Sequence, residues 1–361
     1  MPISVVAKEK QTPMSTAVTD TPERLKFDEA NLHEYMQAHV EGYSGPLEVK
    51  KFAGGESNPT YLLTTPDKKY VLRRKPPGKL LPSAHAVDRE YKVMTALGQH
   101  GFTVPKTHFL CEDDAVIGTM FYVMDFMEGR IFWDMEVKDV PAPERRGYFL
   151  GAIDNLARLH SFKPEEVGLG DYGKQTDYFA RQIGRWTKQY QASETDTHEN
   201  MNNLIDWLPQ AIPAGDEVAI VHGDYKINNV IFDPKEPRVI GTLDWELSTL
   251  GHPLADFSYF LMPWGLPRIT TLGYSDIDFK EMNIPTLDEA IDHYSEKTGR
   301  DGLPDINFCM AYNMFRLAGI VQGVYKRAQQ GNASSQDAAK YGAAVPILAN
   351  TGWEFAKKAG A

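Results

Sequence analysis

Two polar strings joined by a short apolar hairpin constrain this 361-residue chain more than any other feature. The first is Val221-His222-Gly223-Asp224-Tyr225-Lys226-Ile227-Asn228-Asn229, and the second is Leu243-Asp244-Trp245-Glu246. The strand-like runs Val230–Phe232 and Val239–Leu243 separate them, and the apolar run Glu217–Val221 leads in. Asp224 and Asn229 stand five positions apart, and Asp244 follows Asp224 by twenty.

Taken singly, these residues have ordinary readings. Asp224 fits a turn or cap, because Asp and Asn bond their own backbone. Asp244 fits a strand end facing solvent. Together they make the layout of a phosphoryl-transfer site, with one carboxylate to orient a hydroxyl and an amide oxygen plus a second carboxylate to hold Mg²⁺. The metal asks for hard oxygen ligands and keeps part of its water shell.

The bulk composition narrows the setting. The chain is 42% hydrophobic with 17 Tyr, 17 Phe and 6 Trp, ample for two cores at this length. A net charge of −11 argues against nucleic acid as a partner, since phosphate neutralisation needs a basic face. Cys111 and Cys309 lie far apart without metal-ligand spacing, which fits a reducing cytoplasm. No apolar run reaches the roughly 20 residues of a membrane helix, and the polar stretch 1–20 reads as a disordered tail. The expectation is a soluble, cytoplasmic protein with no membrane partner; oligomeric state stays open.

Texture changes along the chain. Leu25–Val40 has the spacing of an amphipathic helix, and residues 47–74 read as three strands in an antiparallel meander. A helix over Ala86–Leu97 and strands around Phe109 and Phe121–Met124 follow. After Gly129, helices are predicted at Gly147–Ser161, Tyr178–Tyr190, Glu199–Leu208, Thr286–Thr298, Phe308–Gln330 and Ser335–Lys358. The expected division is a tail (1–20), a nucleotide-binding lobe (21–128) and a helical catalytic and substrate lobe (129–361).

The first lobe carries its own candidates. In the turn Gly54–Asn58, Gly55 lets backbone N–H groups approach a phosphate, and Ser57 and Asn58 add donors; an ordinary hairpin turn reads the same way. Arg73 shares a strand face with Val71, so it needs a partner, and Glu90 on the next helix can supply one. The alternative is a solvated basic edge with Lys68, Lys69, Arg74 and Lys75. Asp125 and Met127, in the connector Met124–Gly129, can offer backbone groups to an adenine edge.

In this order the residues resemble the aminoglycoside phosphotransferase and choline kinase branch of the protein-kinase-like fold. Gly55–Thr60, Tyr70–Arg74, Tyr178–Trp186 and Phe315–Leu317 are most similar to the kinase-like domain of acyl-CoA dehydrogenase family members 10 and 11. Stand-alone bacterial proteins provisionally named aminoglycoside phosphotransferases share the pattern. The resemblance implies an α+β bilobal fold, a small antiparallel-sheet lobe of five strands and a helix with a larger helical lobe. It implies Asp224 as catalytic base, Asn229 and Asp244 as Mg²⁺ ligands, and Arg73 in place of a lysine on the nucleotide phosphates, paired with Glu90. Asp256 would brace the loop around Asp224 from within the fold. The implied activity moves the γ-phosphoryl of ATP to a hydroxyl on a small molecule. A hydroxyacyl-CoA or hydroxy acid is one acceptor, an aminoglycoside phosphorylated in the 3′ manner another, and a nucleotide-binding pseudokinase is the reading from a different class. Arg181, Arg185, Arg316 and Arg327 either meet an anionic acceptor or are structural, with Arg316 paired to a carboxylate such as Asp256.

Overall fold

The computed structural model describes residues 17–53, 58–78, 85–267, 273–330 and 338–361, without the side chains of 338–341. Two compact units emerge. The first comprises Met1–Trp133, Val230–Glu236 and Ile240–Glu246, and the second comprises Asp134–Asn229, Pro237–Val239 and Leu247–Ala361. The chain therefore returns twice to the first unit, which a single boundary at 128–129 leaves out.

The first unit is built on an antiparallel sheet of β1 (Val18–Thr19), β2 (Glu48–Phe52), β3 (Thr60–Thr64), β4 (Lys69–Arg74), β5 (Thr107–Cys111) and β6 (Phe121–Asp125). The strands lie in the order β1-β2-β3-β4-β6-β5. Strand alternation sends Tyr61, Leu63, Tyr70 and Leu72 into one core with Leu32 and Met36 of α1 (Glu29–His39). Asp28 caps α1 by accepting from the N–H groups of Ala30 and Asn31. Fully burying each of those leucines contributes about 1.5–3 kcal/mol. Arg73 lies on the other face of β4, toward α2 (Val87–Gln99), whose buried stripe is Val87, Glu90, Val93, Met94 and Leu97. A one-turn helix, α3 (Asp114–Ile117), precedes β6.

Six strands rather than five make this sheet, because Val18 and Thr19 pair with Phe52 and Lys51. The end of the expected tail is thus ordered by ladder hydrogen bonds; residues 1–16 lie outside the described residues.

The second unit contains α4 (Ala142–Ser161), α5 (Tyr178–Ser193), α6 (Glu199–Trp207) and β7 (Ala219–Val221). The hairpin of β8 (Val230–Phe232) and β9 (Val239–Thr242) comes next, then β10 (Thr249–Gly251), which pairs with β7. The hairpin joins the first unit because Arg130 and Phe232 exchange backbone hydrogen bonds at 2.8 and 2.9 Å. Gly129 is required there, since a Cβ would fall 2.5 Å from the Phe232 carbonyl oxygen.

Five helices complete the second unit: α7 (Pro253–Gly265), α8 (Phe279–Met282), α9 (Leu287–Thr298), α10 (Ile306–Gln329) and α11 (Ala338–Lys358). Residues 308–315 of α10 are all buried, and α5, α7 and α11 pack around it. The sequence reading misses α7. Its apolar residues run without a polar face, and Pro253 and Pro263 read as breakers, although Pro at the first turn costs no hydrogen bond. Among the described residues no helix is long and apolar enough to cross a membrane.

Two helical glycines separate packing from propensity. Gly151→Ala places a Cβ 2.1 Å from the Pro237 carbonyl oxygen, whereas Gly184→Ala meets nothing within 4 Å. Urea unfolding is expected to show Gly151→Ala destabilised by about 1–3 kcal/mol, and Gly184→Ala stabilised by about 0.5–1 kcal/mol.

Candidate active site

In the first unit the candidate residues converge on Arg73. Its Nε lies 2.8 Å from Glu90 Oε2, an off-axis ion pair rather than a linear hydrogen bond. Its Nη2 donates to Asp244 Oδ1 at 3.1 Å, with Glu246 at 3.7 Å. Glu90 is held from other sides: Tyr122 Oη donates to Oε2 at 3.0 Å, and Asn58 Nδ2 donates to Oε1 at 2.9 Å. Burial works against the Arg73 charge, but Glu90, Tyr122, Asp244 and Glu246 outweigh it and hold the guanidinium protonated above its usual range. Burial also dominates at Glu90 and raises its carboxyl, with Arg73 and Tyr122 opposing the shift. The solvated-edge reading of Arg73 therefore fails, since its side chain is only 14% exposed.

Asp244 sits in the left-handed region at φ 67°, a conformation that Asp tolerates better than most residues. Trp245, buried against Phe102, donates its Nε1–H to the Thr242 carbonyl at 3.0 Å and anchors the turn that presents Asp244.

In the second unit, residues 222–229 leave β7 and wrap around Asp256 of α7. Asp256 accepts from the N–H groups of His222 and Gly223 at 2.7 and 2.8 Å, and His160 Nε2 lies 3.2 Å away. Burial alone would raise this carboxyl, but the His160 contact, helped by His222, holds it below the usual range. Gly223 takes φ 83°, and a Cβ there would lie 2.5 Å from the Leu247 carbonyl oxygen. Tyr225 ties the loop to α4 through Ala152 O at 2.8 Å and Asn155 Nδ2 at 3.1 Å.

Asp224 is thereby presented with both oxygens engaged. Tyr259 Oη donates to Oδ1 at 2.6 Å, while Lys226 Nζ and Asn229 Nδ2 lie 2.9 and 3.2 Å from Oδ2. With its Nδ2 turned to Asp224, Asn229 has its amide oxygen as the remaining metal-binding atom.

Three expectations change, and one lies outside the described residues. Asn58 is fully buried, with Nδ2 on Glu90 and Oδ1 3.1 Å from His85 Nδ1, so it braces Glu90 instead of facing a phosphate. Asp125 has its carboxylate on Lys68 and His108, both at 2.7 Å, and its N–H on Lys106 O, so that N–H is already engaged. Arg316 does not pair with Asp256. It donates to the Gly223 carbonyl at 3.0 Å and stacks on Tyr259 and Trp186. Gly55 and Ser57 lie outside the described residues. Sequence reasoning missed Tyr259, Tyr122 and Lys226; only Lys226 carried a local signal, two residues after Asp224.

The model of the phosphotransferase enzyme family matches residues 48–279. The chain belongs to that family. A relative in Pongo abelii, acyl-CoA dehydrogenase family member 11, is 41% identical over 359 residues, covering 96% of this chain and 46% of that protein. The chain thus spans about half the length of the curated relatives it matches. A solved structure from Ralstonia eutropha JMP134, provisionally named an aminoglycoside phosphotransferase, is 45% identical with a TM-score of 0.85, covering 92% of this chain and 99% of that one. Choline kinase from Cryptosporidium parvum shares the fold at TM-score 0.63 and 12% identity, covering 92% of this chain and 96% of that one. The α+β kinase-like fold of this phosphotransferase family member follows from these matches.

Asp256→Asn tests the brace. Loss of a buried carboxylate that accepts two backbone N–H groups is expected to cost about 2–4 kcal/mol and to speed amide exchange at His222 and Gly223. Because the folded-state carboxyl is depressed, the wild-type advantage is present above the unfolded value near pH ~4. It is expected to shrink as pH falls through the lower folded value, as denaturation at stepped pH would show.

Proposed function

We propose that this chain transfers the γ-phosphoryl group of ATP to a hydroxyl of a small molecule. The observation that carries the reading is Asp224, a carboxylate fixed on a braced loop, five residues before an asparagine whose amide oxygen is directed away from it. In the reaction the acceptor oxygen bonds to the γ-phosphorus as the bond to the β-phosphate oxygen breaks. ADP leaves, and the hydroxyl proton passes to Asp224. Arg73, held charged by Glu90, is the fixed cation for the nucleotide phosphates, in a geometry that its bidentate fork changes relative to lysine. Met127 contributes backbone groups to the adenine edge.

The donor set suits Mg²⁺, with an amide oxygen from Asn229 and a carboxylate from Asp244. When bound, the ion neutralises phosphate charge as the transfer proceeds.

For the acceptor we favour a hydroxyacyl-CoA or related hydroxy acid. Among the described residues, Arg181, Arg185, Arg316 and Arg327 of the second unit form no ion pair, although the chain carries a net charge of −11. Arginines without a carboxylate partner suit an anionic acceptor, although Arg316 and Arg181 already donate to backbone carbonyls, whereas a polycationic aminoglycoside needs carboxylates. The acyl-CoA dehydrogenase names of relatives of which this chain spans 46% and 31% support the same reading.

ADP release with Mg-ATP, measured across a hydroxyacyl-CoA panel and an aminoglycoside panel, tests both parts. Turnover is expected on the first panel only. Asp224→Asn is expected to lower kcat by at least about 10³-fold while Mg-ATP still raises the melting temperature. Undiminished turnover in that variant would sink the mechanism.

A further inference from the structure

Three donors hold the Asp224 carboxylate, and they differ in origin. Lys226 and Asn229 belong to the same loop as Asp224 and move with it. Tyr259 comes from α7, three residues after Asp256. That spacing puts the two on one helix face, where Asp256 fastens the loop backbone and Tyr259 reaches the side chain. We propose that Tyr259 is a positioning residue for phosphoryl transfer, fixing the Asp224 carboxylate relative to the body of the second unit through its phenol O–H.

Loop donors can set the carboxylate only relative to the loop. A donor from a packed helix also sets where Oδ1 stands in the unit, which decides whether an acceptor hydroxyl meets the carboxylate in line for attack. Tyr259 is itself held, because the Arg316 guanidinium lies 5.0 Å from its ring centroid and donates to the Gly223 carbonyl at 3.0 Å. One cation therefore clamps both the ring and the loop. Burial, reinforced by Asp224, raises the phenol well above its ordinary value, so it remains a neutral donor at working pH. A half-buried donor that touches only Oδ1 limits rotation of the carboxylate while leaving the ring stack independent of the hydroxyl.

This inference rests on the reading of Asp224 as the base, and one set of variants separates the two. Tyr259→Phe keeps the ring and the Arg316 stack and removes only the hydroxyl. With Mg-ATP and whichever hydroxylated acceptor of the panels turns over, Tyr259→Phe is expected to lower kcat about 10- to 100-fold. KM for ATP and acceptor should stay within about twofold, and the melting temperature within about 2 °C. An unchanged kcat in Tyr259→Phe, with Asp224→Asn inactive, overturns the positioning role and leaves the base assignment standing. A kcat loss that comes with a matching fall in melting temperature and a rise in both KM values makes Tyr259 structural and also overturns it. Full activity in Asp224→Asn, or a wild type that turns over no acceptor, overturns the base assignment and this inference together.

Discussion

The second unit's chemistry depends on one carboxylate that takes no part in it. Asp256 accepts two consecutive backbone N–H groups, those of His222 and Gly223. Consecutive amides point to one side only when the chain turns sharply, and the turn is possible because Gly223 adopts φ 83°. A buried carboxylate with those bonds removed would be costly, so loop and helix hold each other in place. Everything at Asp224 follows from this: the approach of Tyr259, the Arg316 contact with the Gly223 carbonyl, and the anchoring of Tyr225 on α4.

The first unit solves a related problem with opposite charge. A cation on the inner face of a sheet must stay charged and oriented without water around it. Arg73 achieves this with Glu90, which in turn needs Tyr122 and Asn58 to satisfy its remaining lone pairs. Each charged group of the cluster has an opposite charge or a donor beside it, although the buried Arg73 Nε makes no linear hydrogen bond, and this mutual support limits rotation of the pair. Asn58 belongs to that support, because its buried side chain has Nδ2 on Glu90 and Oδ1 beside His85.

Much of the fold was legible because local pattern carried it. Alternation in β3 and β4, periodicity in α2, α4, α5 and α10, and the capping box of Thr286 with Glu289 in α9 all reflect near-neighbour chemistry. The pairing of Arg73 with Glu90 was legible too, since a strand cation facing inward demands an acid and one stands on the next helix. What escaped was either non-periodic or distant. Largely buried α7 shows no amphipathic stripe, β1 is two residues long, and Arg130 meets Phe232 about a hundred residues later in the chain.

The sequence by itself determined the oxygen-bearing residues and their order: Asp224, Asn229, Asp244 and the Arg73–Glu90 pair. It could do so because these residues are identified by type and by spacing along the chain, both of which the sequence writes out directly. Only the tertiary structure decided their surroundings. That Tyr259 reaches Asp224, that Arg316 caps Gly223 instead of pairing with Asp256, and that Asn58 and Asp125 serve the scaffold all depend on contacts between segments far apart in the chain. Such contacts are set by how buried helices and strands pack, and side-chain packing leaves no periodic trace in a single sequence.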